Sequence, residues 1–122
     1  MPNEFDLPER LLNFGVRIIK VVERLPKNLV GRTLADQLLR SGLSVGANFE
    51  EAQGAESHAD FVHKLQIALK EAREANYWLR VVDKAATLPH PRLVSLLDES
   101  AQLVAILSKS VATAKGTDKT RR

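Results

Sequence analysis

The sequence predicts an all-α fold of four helices packed as a bundle. Apolar residues recur at steps of three and four along four separate segments. That spacing stacks side chains on one side of a helix. The breaks between segments carry proline or glycine: Leu25-Pro26, Gln53-Gly54-Ala55-Glu56 and Leu88-Pro89-His90-Pro91. The chain is 44% hydrophobic but only 5% aromatic, so aliphatic side chains and alanine must do most of the packing. This composition suits helices better than sheets.

The first helix is expected over about residues 8–25. Pro8 fits a first helical turn, where its missing N–H does no harm, and Asp6 is placed to cap it. Leu11, Phe14, Ile18, Val21, Val22 and Leu25 form its inner stripe, and Pro26 ends it by disfavouring helical geometry in the residue before it. Another face carries Arg10, Arg17, Lys20 and Arg24, with Lys27 just beyond. This basic stripe reads either as a solvated face or as a phosphate-contacting surface.

Asn28 is a good cap for a second helix over about residues 29–53, roughly 37 Å long at 1.5 Å per residue. Leu34, Leu38, Val45 and Phe49 form its apolar stripe. Beside it runs a second seam of small or polar residues: Gln37, Ser41, Ser44, Asn48 and Glu51. Gly42 and Gly46 lie in the same helix, each costing roughly 1 kcal/mol relative to alanine. A solvated face would not need them. The seam therefore lets a helix of the same bundle approach closely, or meets another subunit with Asn48 and Glu51 hydrogen-bonding across the contact, or forms a ligand site.

Gly54 is placed as a helix stop. Ser57 caps a third helix over about residues 57–86, and Asp60 completes a capping-box-like pair with Asp in place of Glu. Its stripe is Phe61, Leu65, Ala68, Ala72, Ala75, Leu79 and Val82, with alanines that let a neighbouring backbone come close. Glu71 and Glu74 read as members of structural ion pairs, Glu74 with Lys70 and Glu71 within reach of Lys64. Trp78 is expected to anchor the open end of the bundle or a subunit contact, with a partner for its indole N–H.

The fourth helix is expected over about residues 91–114. Its inner face carries Leu93, Leu97, Val104, Leu107 and Val111, joined by Leu96, Leu103 and Ile106. So broad an apolar surface calls for more than one neighbour. Residues 115–122 read as a mobile basic tail, in which Lys115, Lys119, Arg121 and Arg122 serve solubility or contact nucleic acid. Residues 1–114 thus form one domain, with no internal repeat.

The run QLLRSGLSVGANFEEAQGAES, followed by DFVHKLQIALKEAREANYWL, resembles the bacterial four-helix-bundle protein family, also called the 23S rRNA intervening-sequence protein family. The likeness spans Phe14 to about Leu107. It rests on Gln37, Leu38, Arg40, Ser41, Ser44, Val45, Asn48, Glu51 and Ala52, then on Ser57, Phe61, Lys64, Leu65, Ala68, Lys70, Glu71, Glu74, Trp78 and Leu79. Many members carry Glu-Gly where this chain has Glu51-Ala52, and another branch carries the Glu-Ala form. The resemblance implies an up-down antiparallel bundle that assembles into a ring-like homo-oligomer, a pentamer, and it does not imply a catalytic activity, since none is established for the family. A related fold is the accessory variability protein of diversity-generating retroelements, a basic pentamer that binds nucleic acid and a reverse transcriptase.

Composition narrows the chemistry. The formal charge is +3, a mild bias towards anionic partners that a closed oligomer would multiply. Cysteine is absent, which excludes disulfides and thiolate metal sites. No apolar run approaches the roughly 20 residues that span a bilayer, and the N-terminal stretch lacks a secretory pattern. A cytoplasmic location without membrane contact is expected. A di-iron bundle needs two Glu-x-x-His units; this chain offers a single Asp60-x-x-His63. No serine has a histidine that spacing would place as its base, and no Gly-Lys-Ser/Thr phosphate loop occurs. No cofactor or metal is expected.

The leading expectation is a non-enzymatic oligomeric scaffold. Its subunit contact would use Gln37, Ser41, Ser44, Asn48, Glu51 and Trp78. Its basic surfaces would bind RNA, DNA or a nucleic-acid-processing protein. The alternative is a protein–protein adaptor with no nucleic-acid role.

Overall fold

The computed structural model describes residues 6–116. These form four helices: α1 (Leu7–Arg24), α2 (Leu29–Gln53), α3 (His58–Lys84) and α4 (His90–Lys115). Among the described residues there is no strand. Each helix packs on its sequence neighbour, and α1 closes the ring against α4 through the thinnest seam. Short turns between helices of this length force successive helices to run antiparallel.

The ends of the helices follow local chemistry, with three departures from expectation. Asn28 Oδ1 accepts from the Gly31 N–H at 2.8 Å, and Ser57 Oγ accepts from the Asp60 N–H at 3.0 Å, so both predicted caps form. Asp6 occupies the cap position of α1, but its side chain makes no capping hydrogen bond. The third helix stops at Lys84, two residues early. Ala86 turns into the left-handed region at φ 55°, and the Thr87 N–H returns to the Val82 carbonyl at 3.1 Å. Such a reversal usually uses glycine. The fourth helix runs through Lys115 and ends on left-handed Gly116, so Lys115 belongs to the helix rather than the tail.

The core is aliphatic. Leu11, Phe14, Ile18, Leu34, Leu38, Val45, Leu65, Leu79, Val82, Leu93, Leu103 and Leu107 are all buried. Three alanines of α3 (Ala68, Ala72 and Ala75) are buried in the same interior, leaving the space that larger side chains on α2 and α4 fill. Phe61 is only half-buried, against the rim of this core.

Two features of α2 fix how closely α1 approaches. A Cβ at Gly42 would lie 2.8 Å from Ile18 Cγ1 and 2.9 Å from its Cγ2. At Gly46 the nearest atoms, on Leu11, would lie at an ordinary 3.6 Å. The glycines therefore serve packing against α1 within the same chain. At the other end of α2, Gly31 has no room for a side chain, because a Cβ there would overlap the Pro26 carbonyl oxygen.

Candidate nucleic-acid and subunit surfaces

The basic stripe of α1 divides along its length. Arg10 is buried. Its guanidinium grips Glu99 of α4 with two hydrogen bonds, Nε to Oε2 at 3.0 Å and Nη2 to Oε1 at 2.7 Å. Nη2 also donates to Gln102 Oε1 at 3.0 Å. A planar fork held this way ties α1 to α4. Arg10 thus lies inside the chain's own interface and not on the solvated stripe where sequence spacing put it. The reason is long-range: spacing along α1 does not reveal an acid on α4.

The remaining cations of the stripe face outwards. Arg17 donates to Ser95 Oγ at 2.9 Å. Lys20 is exposed and stands 3.9 Å from Glu23, an equally exposed partner; such a pair is worth little. Arg24 and Lys27 are exposed and make no ion pair among the described residues. Lys115 ends α4 at the surface. Lys119, Arg121 and Arg122 lie outside the described residues.

The polar seam of α2 lies along its border with α3. Ser41 is fully buried in the chain's own interior, and its hydroxyl donates to the Gln37 carbonyl at 2.7 Å. This burial removes Ser41 from any surface another subunit could reach. Ser44 Oγ donates to the Arg40 carbonyl at 2.6 Å, and Asn48 Nδ2 donates to the Ser44 carbonyl at 2.9 Å. Small polar side chains thus hydrogen-bond back into their own helix. Charged residues then cross to α3. Arg40 bridges Glu71, at 3.2 Å, and Glu74, and it also donates to Gln37 Oε1. Lys64 reaches Glu51 Oε1 at 2.8 Å. The acids expected to pair within α3 therefore pair across helices, because the α2 cation stands between them. The Trp78 N–H donates to Glu74 Oε2 at 3.1 Å. The ring is half-buried and packs edge-on to Tyr77, with centroids 5.0 Å apart.

The hydrogen bond to Glu51 raises the Lys64 ammonium above its ordinary value, and the nearby Glu51 charge adds to the effect.

One surface escaped the sequence reading. Leu12, Val16 and Ile19 of α1 and Leu43 of α2 are exposed side by side. They line an open groove of about 560 Å³, with Gly15, Gly46 and Ala47 along it. The signal was present: Leu12, Val16 and Ile19 recur at steps of four and three, as a second stripe beside the first. Among the described residues, no three His, Cys, Asp or Glu side chains come together as a metal site. No helix there is long and apolar enough to cross a membrane.

Comparison with known proteins agrees with this architecture. No curated protein matches. Among solved structures, the chain is similar to a protein of unknown function of the S23 ribosomal protein family from Bacteroides thetaiotaomicron. The two share 36% identity over 85% of this chain and 96% of the other, with a TM-score of 0.77. The profile described as 23S rRNA-intervening sequence protein matches residues 4–109. With that match over most of its length, and a bundle whose interior and helix junctions bear out the up-down arrangement, the chain belongs to the 23S rRNA-intervening sequence protein family.

Proposed function

We propose that the protein is a non-enzymatic homo-oligomer that acts in the cytoplasm by binding nucleic acid, or a nucleoprotein, through its basic surface. One observation carries this reading. Lys20 and Arg24 in the last turns of α1 and Lys27 just beyond it are all exposed, and Glu23 is the one carboxylate paired with any of them among the described residues. Two family descriptions that name ribosomal RNA or a ribosomal protein support it. Contacts of this kind would be dominated by phosphate, so affinity should fall steeply with salt. Retention of RNA or DNA on a filter at low salt tests the idea. Wild-type protein should retain it, and replacing Arg17, Lys20 and Arg24 together by glutamine should weaken retention. No retention by the wild type would end this reading.

The assembly belongs to the same proposal. The exposed groove between α1 and α2 is the surface we assign to contact between copies, since apolar patches of this kind mark interaction sites. Five subunits, and kinship with the retroelement accessory protein, rest on the resemblance of the sequence. A gene beside a reverse transcriptase, as against one inside a ribosomal RNA insertion, would decide the kinship. The groove also favours the second reading, an adaptor that docks a different protein. Recovery of a protein partner after nuclease treatment, with the purified chain remaining monomeric, would favour that reading.

A further inference from the structure

The fold places a cation next to the basic stripe that the sequence did not connect with it. Arg92 sits in the first turn of α4, far along the chain from Lys20 and Arg24, yet the three line one crevice of about 270 Å³. Val21, Leu88 and Leu93 complete its lining. Leu93 is fully buried, and Val21 and Leu88 pack against the core. The cations therefore stand around an apolar base, where the local dielectric is lower and their field reaches further than over open water.

Among the described residues, little offsets this charge. Arg24 and Arg92 make no ion pair among the described residues, and Lys20 has only the loose contact with Glu23. The first turn of α4 contains no acid. The nearby Asp83 is engaged by His90, with Nδ1 to Oδ1 at 2.6 Å. Three like charges around one crevice repel one another, and an anion seated in it would relieve the repulsion.

We propose that this crevice is a binding site for one phosphate group, with Arg24 and Arg92 as paired forks and Lys20 as the third charge. Two guanidinium groups match the oxygens of a phosphate by planar, bidentate hydrogen bonding. The volume falls below the roughly 300–1,000 Å³ of ordinary small-molecule pockets, so it suits a phosphate and its immediate substituents rather than a whole cofactor. Two sources share this chemistry, a nucleic-acid backbone and a free phosphate or simple ester. In the first case the site rests on the function proposed above and gives that binding a defined place.

The experiment pairs two double variants of equal charge loss. Arg24→Gln/Arg92→Gln empties the crevice of its forks. Lys70→Gln/Arg73→Gln removes two exposed cations from α3, away from the crevice lining. Thermal melts confirm that both fold. Inorganic phosphate is titrated against the arginine Nε–H signals at constant ionic strength, with chloride as reference. The wild type and the α3 variant should show saturable shifts at Arg24 and Arg92 and at the backbone amides of Val21 and Leu93, and those two amides should show no saturable response in the crevice variant. A wild-type response no greater than that to chloride overturns the proposal.

Duplex RNA then identifies the source. If the crevice variant loses about tenfold more affinity than the α3 variant, and its salt slope falls by about two contacts' worth, the ligand is nucleic-acid phosphate. Equal losses with the phosphate response intact leave the site standing and assign it to a free phosphate or ester. A phosphate response with no RNA binding at all also leaves the site standing, while removing the nucleic-acid function.

Discussion

The two flanks of α2 solve opposite problems. Towards α3 the helix presents hydroxyls, an amide and charges: Ser41, Ser44, Asn48, Arg40 and Glu51. The structure gives each a partner within the chain. Towards α1 it presents Gly42 and Gly46, over which Ile18 and Leu11 pack, and then Leu43, which lies open beside Leu12, Val16 and Ile19. The polar flank resembles a contact surface in sequence, because small and amide-bearing residues at helical spacing suit one. In three dimensions those groups bond to their own helix or to its neighbour. The apolar flank drew no notice in the sequence, yet its side chains are the ones still lacking cover. A seam is therefore better judged by what its atoms still lack than by its residue types.

The sharpest way to break this comparison is to attack both flanks and weigh the particle. Leu12→Glu together with Val16→Glu should convert an assembly to monomer by light scattering, while the helical circular dichroism signal persists because both side chains are exposed in the single chain. Asn48→Ala should leave the mass unchanged, since it removes a hydrogen bond within α2. The reverse pattern, with Asn48→Ala dissociating the particle and the double variant intact, would return the contact to the polar seam.

The two glycines sharpen the comparison on the α1 side. They lie one turn apart on one helix and should respond with opposite sign to the same substitution. Gly42→Ala presses a methyl group against Ile18, a β-branched, fully buried side chain with few other rotamers. Overpacking of this kind costs about 1–3 kcal/mol, partly offset by about 1 kcal/mol of helix propensity. Gly46→Ala meets only ordinary contacts, so the propensity gain of up to about 1 kcal/mol should show as stabilisation. Urea melts of the two variants beside wild type measure both. Equal destabilisation would mean that α1 lies closer to Gly46 than its Leu11 contacts indicate.

What the sequence revealed follows the range of each interaction. Asn28 and Ser57 were legible as caps because the bonded N–H lies three residues away. The buried stripe Leu34, Leu38, Val45 and Phe49 was legible because a 3.6-residue period puts it on one side. The period does not say where a core stops, which is why Leu12, Val16 and Ile19 went unread beside Leu11, Phe14 and Ile18. Partners from different helices had no local signal at all. Arg10 finds Glu99, Arg40 finds Glu71 and Glu74, and Arg92 joins Lys20 and Arg24 only once the chain is folded. The basic surface was accordingly legible in charge and not in place.

The smallest expected effect tests the polar flank directly. Glu51 raises the proton affinity of Lys64 across the α2–α3 border, first through the hydrogen bond and then through its charge, with Asp60 adding to it. A lysine whose affinity is higher folded than unfolded adds stability that is complete below its unfolded value, near 10.5. That contribution disappears as pH rises through the higher folded value. Titration of the Lys64 ε-carbon by NMR should therefore give a midpoint above the ordinary lysine value, and Glu51→Gln should lower it. The stability difference between wild type and Lys64→Gln should be present at neutral pH and vanish only in strong alkali. A Lys64 midpoint unmoved by Glu51→Gln would mean that this pair does not hold in solution, and the polar flank would then have a carboxylate at its end to offer another molecule.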